Sequence, residues 1–151
     1  MALGGLWALA VVIVPGMGPQ PFIPINLALI YAVAPTGVIM LLMIARLAQR
    51  RFFDDAIIDG DPLPPGSHAE IDQRVLVNTT EQMVLALLLW PLISTVLGAV
   101  TVIVMGISMA VARLAFWLGY HISPPMRAFG FAASFYPTVL ATLLTLWRLL
   151  T

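Results

Sequence analysis

Asp72-Gln73-Arg74-Val75-Leu76-Val77-Asn78-Thr79-Thr80-Glu81 opens an apolar run that continues through Leu85, Leu88 and Leu92 to Val96. Arg74, Asn78 and Glu81 stand at i, i+4 and i+7, so on a helix they share one face as a polar stripe. A helix rises about 1.5 Å per residue, which carries Glu81 about 10 Å beyond Arg74 and into a hydrocarbon layer about 30 Å thick. An ionisable side chain near mid-bilayer costs about 2.5–3.5 kcal/mol, and a buried amide needs partners. The stripe must face protein or water. It serves either as glue between helices, with Arg74 and Glu81 paired across a contact, or as a functional polar site.

The rest of the chain is as apolar as this run. Of 151 residues, 61% are hydrophobic and 9% charged, where soluble domains carry about 25% charged residues. The mean hydropathy is +1.01. The expected fold class is therefore all-α, an integral membrane four-helix bundle with an extra N-terminal apolar segment. The seven basic residues are all Arg and balance seven acids, so no nucleic-acid surface follows. The absence of cysteine excludes disulfides, a cysteine nucleophile, thiolate metal sites and iron–sulfur clusters.

Four spans are expected, at about 22–47, 74–96, 100–120 and 126–149, forming a unit over 22–151. Residues 1–21 form a separate apolar extension, because Ala2 to Val14 is shorter than the roughly 20 residues a straight crossing needs. Pro15-Gly16-Met17-Gly18-Pro19-Gln20-Pro21 forbids a continuous helix into the first span. Phe52 to Ile71 is the one long hydrophilic stretch, and its Asp54, Asp55, Asp59 and Asp61 among prolines read as a solvated loop. A short connection at Gly98 makes spans two and three antiparallel neighbours. Arg113, Phe116 and Tyr120 share one face of the third span, and Ser123-Pro124-Pro125 starts the fourth. Gly106/Ala110 and Gly130/Ser134 offer close helix packing. His68 falls in the loop and His121 in the short turn, and neither has a second ligand nearby in sequence, so no metal site is expected. Arg46, Arg50, Arg51, Arg74, Arg113 and Arg127 fall on one side of the spans and Arg148 on the other. The excess of arginine orients that first side to the cytoplasm.

Guanidinium groups match carboxylates bidentately, so Arg46, Arg74, Arg113 and Arg127 suit a doubly carboxylated ligand. Glu81 suits an amino group and Asn78 a peptide amide. Together they complement a small zwitterionic peptide.

Arg74-x-x-x-Asn78-x-x-Glu81 early in the second span, and Ala112-Arg113-x-x-Phe116-x-Leu118-Gly119-Tyr120 ending the third, resemble the MAPEG family of membrane-associated proteins in eicosanoid and glutathione metabolism. Arg127 follows Tyr120 by seven residues, as the catalytic arginine follows the last tyrosine in the leukotriene-synthase branch, and Ala45-Arg46 closes the first span in a similar way. The resemblance covers roughly residues 22 to 150 and points to a bacterial-type member in an inner membrane, with its site facing the cytoplasm. It implies a homotrimer binding glutathione as co-substrate between adjacent subunits. Arg46, Arg74, Asn78, Glu81, Arg113 and Tyr120 would hold the peptide, and Arg127 would be catalytic by stabilising its thiolate. The acceptor would be a lipophilic electrophile or hydroperoxide from the bilayer, making the protein a transferase or peroxidase. Since the family includes a lipid-binding member without catalysis, a non-catalytic scaffold or accessory subunit of a larger membrane complex stays open. Retention of Arg127 favours the enzyme, and Phe116, where glutathione-using members often carry Tyr, favours the scaffold.

Overall fold

The computed structural model describes residues 2–151, and every regular element among them is helical: α1 (Ala2–Met17), α2 (Ile25–Phe52), α3 (His68–Leu97), α4 (Ala99–Ile122) and α5 (Pro124–Leu150). The last four are each long and apolar enough to cross a bilayer, and α1, at 16 residues, is not. This is the expected bundle with its extra apolar segment. In lipid a spanning chain must satisfy its own backbone N–H and C=O groups, which is why these apolar runs are helices.

The helices start and stop where capping chemistry directs. Helix α3 begins at His68 rather than Arg74, because Ser67 caps it: the Ser67 side chain accepts the Glu70 N–H at 3.2 Å, and the Glu70 carboxylate turns back to the Gly66 N–H at 2.6 Å. This is a variant of the Ser-x-x-Glu start, with the carboxylate reaching the N–H one residue before the cap rather than that of Ser67 itself. Helix α2 runs past Leu47 to Phe52 and holds Arg46, Arg50 and Arg51 on helix. Hydropathy marks where lipid ends, whereas caps mark where a helix ends. Gly98, at φ +95°, makes the one-residue turn from α3 into α4, a left-handed position that favours glycine. Pro35, Pro91 and Pro137 lie inside α2, α3 and α5 without ending them.

Helix α4 is the axis of the molecule and packs on all four other helices, most extensively on α5. Its small residues allow this. A Cβ on Gly106 would run into the Ala32 carbonyl of α2, and on α5 a Cβ on Gly130 would strike the backbone of α4 at Phe116. Helix α1 lies along α4 and α5, where Trp7 donates to Ser108 Oγ at 2.7 Å. Its Val11 and Val12 enter the main core with Ala32, Trp90, Met105 and Met109. Phe116, Val75, Met43 and Ile39 form a second cluster, and Ile57 ties the loop between α2 and α3 to Leu47 and Ala69 in a third. Leu41, Leu42, Leu87, Leu88, Leu143 and Trp147 are exposed, an outward apolar surface suited to lipid.

Candidate functional site

One end of the bundle gathers the end of α2, the start of α3, the end of α4 and the start of α5. It therefore carries Arg46, Arg50, Arg51, Arg74, Arg113 and Arg127, while Arg148 sits in the last turn of α5 at the other end. On this end Arg74, Asn78 and Glu81 of α3 line an open groove of about 750 Å³ with Tyr120 of α4, walled by Arg51 and by Gly60, Asp61 and Leu63 of the loop. A second depression of about 490 Å³ shares Asn78 and Tyr120 and adds Phe116, Arg127 and Phe131.

The residues of the stripe are not equivalent. Arg74 is 63% exposed and donates to Glu70 at 2.7 Å. An exposed i,i+4 pair contributes at most about 1 kcal/mol, so its guanidinium exchanges readily onto another carboxylate. Glu81 is exposed and accepts from Asn78 Nδ2 at 3.3 Å. Asn78 in turn accepts from Arg113 Nη1 at 2.8 Å. Arg113 itself is 0% exposed and also donates to Ser134. Its guanidinium carbon lies 4.4 Å from the centroid of the Phe116 ring, a cation–π contact. Its Nε has no hydrogen-bond partner among the described residues. Arg113 thus stands behind the stripe and fixes the Asn78 amide with its NH₂ toward Glu81. Arg127 is exposed at the mouth of the depression, its guanidinium carbon 5.0 Å from the centroid of Tyr120. The ion pairs among the described residues join Arg50 and His121 to Asp72 and Arg74 to Glu70, so Arg127 has no acid partner there.

Arg46 lies elsewhere. It is exposed, donates to Gln49 at 2.7 Å and lines two smaller cavities on the side of α3 that carries His68 and Asp72. One chain therefore presents Arg46 on one face and Arg74, Asn78 and Glu81 on another.

A cluster missed by the sequence reading lies beside Arg46. Asp72, 2% exposed, accepts from Arg50 Nε at 2.5 Å, Trp117 Nε1 at 2.8 Å and His121 Nε2 at 2.8 Å. His121 meets His68 through their Nδ1 atoms at 3.2 Å. The signal was present: Asp72, Val75, Thr79, Gln82 and Ala86 all point inward on α3, so an acid sat on the inward stripe, where it needs donors. Among the described residues no three such side chains are grouped to hold a metal ion.

Four bilayer-length helices enclosing a charged groove at one end define a helical integral membrane protein with a polar site at its interfacial end. A sequence model of the MAPEG family matches residues 27–147, most of the chain, and the protein belongs to that family. No curated protein and no solved structure matches the chain.

Proposed function

We propose that the protein is a membrane-bound glutathione-dependent transferase or peroxidase that works as a homotrimer on lipophilic electrophiles or hydroperoxides. The observation that carries this reading is the convergence of Arg74, Asn78, Glu81 and Tyr120 on one open groove, with Arg127 beside it and without an acid partner. Glutathione offers two carboxylates, an amine and peptide amides, which Arg74, Glu81 and Asn78 complement. A free thiol with a pKa near 8.5 is mostly protonated at neutral pH. The Arg127 cation favours its thiolate, which attacks the electrophile while the thiol proton leaves to water.

The trimer is supported by two features of the single chain. Glu81 and Arg74 are exposed on an outward face of a membrane helix, where lipid would be costly. Arg46 lies away from the groove, so one chain's Arg46 face and a neighbour's Arg74 face together make the full set of cations. The arginine-rich end is placed on the cytoplasmic side, supported by the single Arg148 at the opposite end. Arg113 acts in this reading through Asn78.

A scaffold without catalysis is favoured by one observation, the internal pairing of the stripe: Arg74 is held by Glu70, and Asn78 by Arg113 and Glu81. Glutathione titrated into the purified protein in mild detergent, followed by calorimetry and by thiolate ultraviolet absorbance, separates the two. Binding with a thiolate signal that Arg127→Ala abolishes supports the enzyme. Absence of binding, or binding with no thiolate signal, overturns it.

A further inference from the structure

We propose that His68 and His121 form a one-proton latch, hung on Asp72, that clamps the first turn of α3 and the loop before it onto the end of α4 while at most one of the two rings is charged. The inference does not rest on the glutathione reading.

The Asp72 carboxylate only accepts, so His121 must place a proton on Nε2, 2.8 Å away. Neutral His121 then presents a bare Nδ1, and the facing His68 Nδ1 at 3.2 Å must be the donor. The two ring planes lie within 26° of each other. If His121 gains a proton, its Nδ1–H donates to a bare His68 Nδ1 and the contact survives with its direction reversed. If both rings are charged, N–H faces N–H and no hydrogen bond is possible. Histidine is the side chain whose charge changes between about pH 5 and 8.

The surroundings offer the second proton little compensation. From α2, Arg46 and Arg50 line the same cavity as the two rings. From α3, Asp72 is already shared by Arg50, Trp117 and His121. From the loop, Asp54 lines the adjoining cavity but is exposed and turned to the Ala56 N–H. Helix α5 contributes no residue to either cavity. His68 is also the first residue of α3, where unpaired N–H groups disfavour a cation.

What the latch holds is a wall of the groove. The loop packs through Ile57 and Leu63 on Leu47 and Ala69, next to His68, and its Gly60, Asp61 and Leu63 line the groove on the other side of α3. Release of His68 from His121 at acid pH therefore loosens that wall of the groove.

The test is backbone hydrogen exchange of the full chain in lipid nanodiscs at about pH 7.5 and about pH 5, corrected for intrinsic rates, read over peptides spanning 57–72. Wild type should lose about tenfold protection at the lower pH, the scale of one ordinary hydrogen bond, and regain it on return. His121→Gln keeps a donor for Asp72 but cannot titrate, so it should show no pH step, and neither should His68→Gln. A wild type without the step, or a step that persists in either variant, overturns the latch. Side-chain nitrogen NMR of wild type near pH 7.5 tests it without substitution: one histidine should be the Nδ1–H tautomer and the other Nε2–H. Two Nε2–H tautomers would also overturn it.

Discussion

Replacing Asp72 by Ala should be among the most damaging single changes in this chain, and its cost follows from what the carboxylate holds. It joins three helices by accepting from Arg50 of α2 and from Trp117 and His121 of α4 while itself sitting on α3. Removing one partner of a buried ion pair costs about 3–5 kcal/mol, because the other charge is left uncompensated. The Arg50 and His121 side chains retain 24% and 21% exposure, so both recover some water and the low end applies, about 3 kcal/mol. Asp72→Asn keeps one oxygen to accept from Trp117 or His121 and loses the charge opposite Arg50, so about half that loss is expected, roughly 1.5 kcal/mol. Denaturant unfolding in mixed micelles, followed by tryptophan fluorescence, measures both. In a thermal scan the Ala variant should melt about 6–12 °C lower, at about 2–4 °C per kcal/mol for a chain of this size. An Ala variant within about 0.5 kcal/mol of wild type would refute Asp72 as the three-helix tie, and equal losses for Asn and Ala would refute the donor count.

Arg127→Ala should lower turnover about 10²–10³-fold with glutathione affinity nearly kept, as expected for loss of one electrostatic donor at a developing anion; steady-state kinetics beside calorimetry reads the split. Arg74→Ala should show the reverse, weaker binding and a milder loss of turnover, in the same pair of assays. Glu81→Ala should weaken both glutathione binding and assembly, since it removes the charged end of the Arg113–Asn78–Glu81 relay; native mass measurement in mild detergent should show monomer rising, and an intact trimer that binds normally would refute it. Gly106→Ala should destabilise by about 1–3 kcal/mol through overpacking against the Ala32 carbonyl, whereas Gly37→Ala, inside α2 with open space around it, should stabilise slightly, by up to about 1 kcal/mol, in the same unfolding experiment.

Hydropathy and periodicity are local properties, and what depends on them was legible in the sequence. Four apolar runs become four helices because lipid leaves the backbone no other partner, and Arg74, Asn78 and Glu81 share a face because a helix repeats every 3.6 residues. Hydropathy begins the second span at Arg74, where the apolar run starts, whereas Ser67 and Glu70 cap the helix that carries it six residues earlier. Other features needed the tertiary structure, because they join residues distant in sequence. His121 is 49 positions from Asp72 and 53 from His68, and only the packing of α3 along α4 brings them together. That packing also turned Arg113 inward behind Asn78, where periodicity allowed it to face a ligand. Arg46 shares an end of the bundle with Arg74, yet α3 stands between them. Which of two cations on neighbouring helices meets a groove depends on the rotation of each helix about its axis. That rotation is set by contacts such as Gly106 on Ala32 and Gly130 on Phe116, which no single helix contains.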